Sequence, residues 1–239
     1  MPKANNTTQY YDETASKYDA LHGDQHNTGH MEALELIVPR HFPNITSVLD
    51  VGAGTGRAIS WFDRILNAEG HKVDLVGLEP SAKMRDVAVQ KVPTASFVEG
   101  YGDAIPFEDG AFDLVTITGV LHHVENPKAV IRECFRVSRV GVLISDHNNF
   151  SFGSTFARKL RLGLYSIGLL SAFRYMKQGF KKQGYSEDDG WWYPYSVLHD
   201  FDVISELSSY SAVIPTRRAN SNLGNFILQN SHVGIACLK

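Results

Sequence analysis

The sequence lacks several features that would place it in a specialised class of protein. Its 239 residues include only two cysteines, Cys134 and Cys237, which lie far apart in apolar surroundings. Such residues are typical of reduced core positions rather than of a disulfide framework, so we expect a cytoplasmic protein. No apolar segment follows Met1, and no apolar run is long enough to span a bilayer. We therefore expect neither a targeting signal nor a transmembrane helix.

A strong charge of one sign is also missing. The 23 Lys and Arg residues against 26 Asp and Glu residues give a formal net charge of −3. No overall positive field therefore favours nucleic acid as a partner. The hydrophobic fraction of 43% and the charged fraction of 21% are ordinary for a globular protein. The length suits one domain with a substantial core, and no internal repeat divides it.

Helical and strand-like segments alternate along most of the chain. The predicted strands are apolar runs at 47–51, 73–79, 95–98, 112–118 and 140–145, followed by two more at 211–215 and 233–238. The predicted helices cover 7–20, 30–40, 58–70, 81–91, 127–137 and 197–208. Because buried strands separated by helices pack as a parallel sheet covered on both faces, the sequence predicts an α/β fold.

A glycine-rich turn follows the first predicted strand. Residues 48–57 are Val-Leu-Asp-Val-Gly-Ala-Gly-Thr-Gly-Arg, and a helical pattern begins directly after them. Glycine allows positive φ and lets a ligand approach the backbone closely, while the start of a helix presents unpaired N–H groups to polar ligands. The pattern predicts a site for a nucleoside-containing cofactor. A tight turn without a ligand is the structural alternative.

Two kinds of cofactor fit such a turn. A dinucleotide site has the spacing G-x-G-x-x-G, whereas this chain has G-x-G-x-G with Asp50 two residues before Gly52. A carboxylate at the strand end suits a zwitterionic ligand that carries an ammonium group. The stretch resembles motif I of the class I S-adenosylmethionine-dependent methyltransferases. This resemblance implies that Asp50 lies near the amino end of the cofactor. It also implies that its methionine and ribose parts lie against Gly52, Ala53, Gly54 and Gly56.

Three further motifs follow the ends of later predicted strands. Glu79 lies about 20 residues beyond the turn, where an acid binds ribose hydroxyls in nucleotide-binding folds, although a surface acid at a helix start is the alternative. The loop around Asp103 resembles the family's adenine-binding loop, although an Asx turn would also explain this residue. The loop at Gly119 resembles the segment that passes under the methionine moiety. The resemblance implies cofactor contacts at Glu79, Pro80, Gly102, Asp103, Ala104 and Gly119.

The resemblance extends over residues 45–145 and implies the remaining architecture. It implies a Rossmann-like, doubly wound seven-stranded sheet, mostly parallel with an antiparallel edge strand, in a single methyltransferase domain over 1–239. Residues 1–44 would form an N-terminal helical cap in which Tyr18 faces the cofactor. Residues 147–195, where the alternation breaks, would form an inserted substrate-binding lid.

His147 is the candidate catalytic residue. It follows the fifth predicted strand, and an oxygen nucleophile benefits from a general base whose pKa lies near neutrality. A loop histidine without a role is the alternative. His122 follows the fourth strand and is a candidate substrate contact, although the resemblance implies a structural histidine at this position.

Another group of histidines has a spacing that suggests a metal site. His22, His26 and His30 are four residues apart. However, Gly23 and Gly29 disfavour a continuous helix there, and no cysteine is near. We therefore expect no metal in this protein.

The predicted lid is basic and apolar. Residues 151–185 contain seven Lys or Arg residues and no Asp or Glu. A solvated basic face is the plain interpretation. The sharper one is an acidic, lipid-linked or sugar-linked acceptor, or peripheral contact with an anionic membrane. The aromatic cluster that follows would line an acceptor pocket, or else pack the lid onto the core, through Trp191, Trp192 and Tyr195.

The sequence thus predicts an enzyme, an S-adenosylmethionine-dependent methyltransferase acting on a small molecule. An NAD(P)-dependent oxidoreductase is the first alternative, which the glycine spacing disfavours. A catalytically silent cofactor-binding protein is the second. The motifs concern the cofactor, and they leave the acceptor open.

Overall fold

The computed structural model of the protein describes residues 3–21, 38–67, 72–177, 179–216 and 226–239. The strands are β1 (Ser47–Val51), β2 (Asp74–Leu78), β3 (Ser96–Val98), β4 (Phe112–Thr118), β5 (Ser138–His147), β6 (Gly184–Ser186), β7 (Gly190–Trp192), β8 (Tyr210–Pro215) and β9 (His232–Leu238). The helices are α1 (Lys3–Thr14), α2 (Tyr18–Leu21), α3 (Arg57–Leu66), α4 (Ala82–Lys91), α5 (Pro127–Val137), α6 (Thr155–Ser166), α7 (Leu170–Lys177), α8 (Phe201–Leu207) and α9 (Phe226–Gln229).

The main sheet has seven strands in the order β3-β2-β1-β4-β5-β9-β8. Strands β1 to β5 pair in parallel, and β9 is antiparallel to both of its neighbours. The chain runs outward from β1 to β3 and then crosses back to place β4 on the other side of β1. The predicted doubly wound, mostly parallel seven-stranded sheet with one antiparallel strand is confirmed, although the antiparallel strand is not the edge strand that the sequence predicts. The antiparallel strand β9 lies between β5 and the edge strand β8.

The sheet is buried because helices cover both of its faces. One core cluster joins β1, β4 and β5 to α5 and α8, and includes Ile117 and Ile131. The other joins the same strands to α3, and includes Leu114 and Ile59. Since successive side chains on a strand point to opposite faces, the apolar run of β4 supplies both clusters. This accounts for continuous apolar strands rather than alternating ones.

Several element boundaries differ from the sequence prediction, and two of the differences are informative. The N-terminal helix predicted over 7–20 is interrupted by a 3₁₀ turn at Ala15–Lys17 that separates α1 from α2. Strand β5 is longer than the predicted 140–145, because β9 pairs with it as far as His147. A strand boundary thus depends on a partner strand that lies far along the chain, which local sequence does not reveal.

Some predicted features lie outside the described residues. These are most of the helix at 30–40, the end of the helix at 58–70, and the histidines at 22, 26 and 30. Cys134 and Cys237 are both buried and free, as the sequence predicts. Among the helices that the structure describes, none is both long and apolar enough to cross a membrane.

The predicted lid contains α6, α7 and the β6–β7 hairpin. No residue of α6 is buried. Arginines fasten the segment through backbone carbonyls: Arg158 donates to Leu228 at 3.0 Å, and Arg174 donates to Pro194 at 2.8 Å. Arg161 likewise donates to backbone carbonyls of the preceding loop. Three of the basic side chains of the lid therefore stabilise the lid itself.

Candidate active site

The predicted cofactor residues lie at one edge of the sheet. Strands β1, β2 and β4 are parallel neighbours, so their carboxyl ends lie side by side. In open α/β sheets ligands bind outside these ends. The glycine turn follows β1, Glu79 follows β2, and Gly119 follows β4. The structure therefore brings together the motifs that the sequence separates.

Two of the glycines at this edge border open space. Gly54 has φ +53° and Gly119 has φ +68°, and a Cβ built on either would meet no heavy atom within 4 Å. A Cβ at Gly52 would instead stand 2.4 Å from Val120 Cγ2. Gly52 is thus needed for packing, whereas Gly54 and Gly119 form a cradle that a ligand can enter. Gly56 has φ +76° and caps α3, while Ala53 is buried beneath the turn.

Glu79 links the end of β2 to the glycine turn. Its carboxylate accepts hydrogen bonds from the backbone N–H groups of Gly54 and Ser81, both at 2.9 Å. Burial raises the pKa of this carboxyl, although the two N–H groups oppose the shift. Pro80 follows at the start of the connection to α4, and its carbonyl accepts from Arg85 at 3.0 Å. Glu79 is therefore fixed beside the cradle.

Asp50 lies deeper than Glu79. Its carboxylate accepts a hydrogen bond from the Thr116 hydroxyl at 2.7 Å, across the β1–β4 pair. Burial raises its pKa to about 7. A nearby cation, such as the ammonium group that the resemblance implies, would favour the charged form of this carboxyl.

The predicted adenine loop follows β3. Tyr101 and Ala104 pair in an isolated β-bridge, which turns the chain and leaves the Asp103 side chain exposed. Gly102 packs closely, since a Cβ there would lie 2.9 Å from Val130 Cγ1. Gly102 also lies next to Val51, so the loop presents an exposed carboxylate close to the end of β1.

The N-terminal helices close against the glycine turn. The Ser81 hydroxyl donates to Asp12 at 2.6 Å, and the Thr55 hydroxyl donates to Asp19 at 2.6 Å. The Tyr18 ring lies 5.3 Å from the guanidinium carbon of Arg57, the first residue of α3. The described part of the predicted cap therefore lies at the edge of the sheet that carries the glycine turn, and Tyr18 lies beside the start of α3.

A group of imidazoles and carboxylates lies at the ends of β4 and β5. We call it the histidine cluster, and it consists of His122, His123, Asp146, His147 and Asp189. The ring centroid of His122 lies 3.9 Å from that of His123 and 4.1 Å from that of His147. Three separate segments supply these residues, which are the loop after β4, the end of β5 and the β6–β7 hairpin.

His122 lies between two carboxylates. Its Nδ1 is 2.8 Å from Asp146 Oδ1, and its Nε2 is 3.4 Å from Asp189 Oδ2. Burial alone would lower the pKa of His122, but the two carboxylates raise it to about 10. The positively charged imidazole of His122 in turn holds the pKa of Asp146 and of Asp189 well below the usual range despite their burial.

The pKa values of His147 and His123 are shifted in the opposite direction to that of His122. Burial and the nearby charged His122 lower the pKa of His147 to about 4. They also lower the pKa of His123. The Nδ1 of His123 lies 2.7 Å from the carbonyl oxygen of Trp191, and its Nε2 lies 2.9 Å from the Tyr11 hydroxyl. Because a carbonyl oxygen only accepts, Nδ1 carries the proton.

The predicted substrate residues are placed differently from one another. Trp191 joins the cluster through its carbonyl oxygen, and its ring packs 5.2 Å from that of Tyr185. Trp192 covers Gly184 across the hairpin, where a Cβ would lie 2.5 Å from the indole. Tyr195 is buried in the core and donates to Asp200 at 3.0 Å. Of the three aromatic residues, Trp191 is therefore the one tied to the histidine cluster.

Sequence reasoning missed Asp189 and Tyr11 as members of this region. Tyr11 contacts His123 across 112 positions of sequence. Asp189 carries one weak signal, since it follows a long stretch of lid without any acid. Asp146 precedes His147 on β5, and its carboxylate bonds the His122 ring. It accepts only the backbone N–H of His147, at 2.6 Å.

The cradle, the carboxylates beside it and their order along the sheet fit S-adenosylmethionine. Residues 49–145 match the family described as "Methyltransferase domain". Over these residues the chain is similar to the class I S-adenosylmethionine-dependent methyltransferases.

One curated protein and two solved structures are similar to this chain. A "Demethylmenaquinone methyltransferase" of Thermotoga maritima is 30% identical over 139 residues, which are 56% of this chain and 58% of that protein. The chain thus spans less than two thirds of this relative. A solved structure from Thermotoga maritima, described as a possible histamine N-methyltransferase, has a TM-score of 0.60 and 15% identity over 98% of this chain and 99% of the other. The DhpI–SAH complex has a TM-score of 0.62 and 16% identity over 98% and 96%. These two structures show the fold alone.

Proposed function

We propose that this protein transfers a methyl group from S-adenosylmethionine to a small, apolar, ring-containing acceptor. The observation that carries the proposal is the meeting of two features at one sheet edge. One is the cradle between Gly54 and Gly119, and the other is the histidine cluster that begins three residues beyond Gly119. The first would hold the donor, and the second lies where an acceptor would meet it.

Four residues would hold the cofactor, whose sulfonium supplies an activated methyl group. Glu79 has lone pairs beyond those used by Gly54 and Ser81, and these would accept from ribose hydroxyls. Asp103 is exposed and would accept from the adenine amine. Gly54 and Gly119 leave the space that the ligand needs. Alignment and exclusion of water then supply much of the acceleration of such a transfer.

His147 is the proton acceptor in this proposal. It ends β5, and its ring packs between those of His122 and His232, with centroid distances of 4.1 and 4.6 Å. These neighbours fix the position of the imidazole at the acceptor side of the cradle. The pKa of His147, about 4, lies below the near-neutral value that the sequence predicts for a general base, so its imidazole is uncharged and able to accept a proton. It would take the proton that the acceptor's nucleophilic oxygen or ring carbon releases on methylation, an effect that contributes about 10²- to 10⁴-fold to rate.

Two observations support an apolar ring as the acceptor. Aromatic side chains surround the histidine cluster, with Tyr11 in edge contact with His123 and Tyr185 packed on Trp191. Aromatic faces suit the stacking of a planar ring. The similar curated protein is named for demethylmenaquinone. A quinone-type ring is therefore the first acceptor to test.

The outer face of the lid supports an acceptor held at a membrane surface. Phe156, Ile167 and Phe180 are 76%, 66% and 67% exposed. Lys159 and Lys177 are also exposed. A helix pair that presents apolar and basic side chains together can lie in the interface of an anionic bilayer. Lipid-linked acceptors would be delivered from such a surface.

The activity is tested by incubating the protein with methyl-labelled S-adenosylmethionine and either demethylmenaquinone that has been reduced beforehand to its nucleophilic hydroquinone form, or fractionated lipid and metabolite extracts. We expect release of S-adenosylhomocysteine and one labelled product, identified by mass spectrometry. The His147→Ala variant should lose at least about 100-fold in kcat while its cofactor affinity is retained. Cofactor binding without turnover on any fraction would favour a silent binding protein. Nicotinamide fluorescence that responds to the protein would favour an oxidoreductase.

Membrane contact is tested by flotation with vesicles that contain or lack anionic lipid. We expect binding to anionic vesicles only, weakened severalfold by Phe156→Ser. The control Val89→Ser removes an apolar side chain that is 50% exposed on α4. It should leave flotation unchanged. Equal flotation of the two variants would show that the lid does not make the contact.

A further inference from the structure

Three members of the histidine cluster have the geometry of metal ligands. His122, His123 and Asp189 each offer one ligand atom, and these atoms all lie within 4.8 Å of one another. Asp189 oxygens lie 3.4 Å from His122 Nε2 and 3.5 Å from His123 Nε2. Two donors bound at about 2.1 Å to one tetrahedral ion stand about 3.4 Å apart. The spacing is thus long for a hydrogen bond and suitable for a shared ion.

The two imidazoles are also oriented as metal ligands are. His122 Nδ1 is held by Asp146 Oδ1 at 2.8 Å, and His123 Nδ1 is held by the Trp191 carbonyl at 2.7 Å. A ligating histidine almost always donates its other ring N–H to a carboxylate or a backbone carbonyl. Both contacts leave Nε2 as the atom that faces Asp189. The orientation is set by the protein backbone and by β5, independently of any ion.

We propose that His122, His123 and Asp189 form a binding site for one divalent first-row transition-metal ion, of the class of Zn²⁺ or Fe²⁺. Two imidazoles with one carboxylate favour these ions over Mg²⁺ and Ca²⁺, which prefer oxygen ligands. The ion would replace the proton between His122 and Asp189. Tyr11 Oη lies 2.9 Å from His123 Nε2, where the hydroxyl donates to the lone pair of this nitrogen. A bound ion must therefore displace the Tyr11 hydroxyl from His123.

Three protein ligands leave further coordination positions, as in catalytic metal sites. The site lies in the loop that follows Gly119, on the acceptor side of the cradle. An ion here would bind an oxygen atom of the acceptor, and this role rests on the proposed function. Metal binding itself does not depend on that function and is measured without turnover.

The test uses tag-free full-length protein dialysed against a chelator and then titrated with Co²⁺ and Zn²⁺. Co²⁺ reports its ligands by visible absorption, and calorimetry gives the affinity for Zn²⁺. We expect one ion per chain. Asp189→Asn and His123→Ala should each weaken binding by at least tenfold, since loss of even an outer-shell partner costs about 10- to 100-fold. His41→Ala, just before β1, removes a histidine outside the cluster and should change nothing.

The Asp189→Asn variant also serves as the control for correct folding. It keeps the side-chain volume, at a hairpin position whose side chain is 32% exposed. Its affinity for S-adenosylhomocysteine should equal that of the unmodified protein. Equal Co²⁺ affinity and spectra in all variants would overturn the metal site, whether or not methyl transfer occurs. One ion bound with cluster-dependent affinity, in a protein without methyl transfer, would instead overturn the proposed function and leave the site standing.

Discussion

Asp146 holds His122 in a buried pair that connects two neighbouring strand ends. Oδ1 of Asp146 lies 2.8 Å from His122 Nδ1, and Oδ2 accepts the backbone N–H of Leu121 at 2.8 Å. One carboxylate thus fixes both the backbone and the imidazole of the loop after β4 to the end of β5. The histidine cluster depends on this contact, because the loop carries both His122 and His123.

The first prediction concerns this pair. Asp146→Asn keeps the shape of the side chain but removes the charge that faces His122. Breaking a buried pair leaves a charge uncompensated, which costs about 3 kcal/mol. We place the cost at the low end of the known range because Asp189 remains near the ring. Urea unfolding measures it, and the exposed Glu206→Gln on α8 should leave the free energy of unfolding nearly unchanged. Equal stability of both variants would contradict the role of Asp146.

The second prediction separates backbone strain from ligand space at the glycine turn. Gly54→Ala forces an alanine into positive φ, at a cost of about 1–2 kcal/mol, and places a methyl group in the cradle. Gly168 also has positive φ, +74°, with no heavy atom near a built Cβ. Gly168→Ala should therefore show a similar loss of stability.

The two glycine variants should differ in cofactor binding. We expect Gly54→Ala to lower the affinity for S-adenosylmethionine at least tenfold, and Gly168→Ala to leave it unchanged. Calorimetric titration of both proteins decides the question. The same affinity in both would show that the open space at Gly54 does not hold the cofactor.

The third prediction concerns Glu79. In Glu79→Gln the amide group cannot accept the two N–H groups and the ribose hydroxyls together. Because hydrogen bonds to a charged group contribute about 1.5–3 kcal/mol, the affinity for S-adenosylmethionine should fall at least tenfold. Binding of free methionine, which has no ribose, serves as the comparison. A variant with unchanged cofactor affinity would remove Glu79 from the site.

The fourth prediction concerns pH and the opposite edge of the sheet. Asp113 accepts from the Thr46 N–H at 2.7 Å and from the Arg139 guanidinium at 3.0 Å. Burial opposes these contacts, yet they lower the pKa of Asp113 below its ordinary value. A carboxyl whose native pKa is lowered stabilises the fold above its unfolded pKa, about 3.9, and loses this contribution as pH falls through the native value.

Asp113→Asn should therefore be less stable than the unmodified protein at pH 7, by about 1–3 kcal/mol. The difference should narrow as pH falls below about 4, because the unfolded-state carboxyl is protonated first, and it should be lost once pH falls through the lower native pKa. Thermal or urea unfolding over this range measures both curves. Cofactor affinity should not change, since Asp113 lies at the start of β4. A difference that stays constant with pH would exclude a charged Asp113 as its source.

The local parts of the fold could be predicted closely. The bounds of β4 and α5 agree with the prediction, because a buried apolar run and a helix start at Asn126-Pro127 are signals within a few residues. The break between α1 and α2 and the full length of β5 could not be predicted. Both depend on contacts with segments far along the chain.

By itself, the sequence determined the alternating strands and helices, the glycine turn, and the carboxylates that follow the strands. These features depend on local periodicity, on glycine conformation, and on the rule that parallel strands end at one edge. Only the tertiary structure decided which side chains face one another there. His122 meets Asp146 across 24 positions, and His123 meets Tyr11 across 112. Such contacts form because the sheet order and the lid bring distant segments together, and no local pattern encodes them.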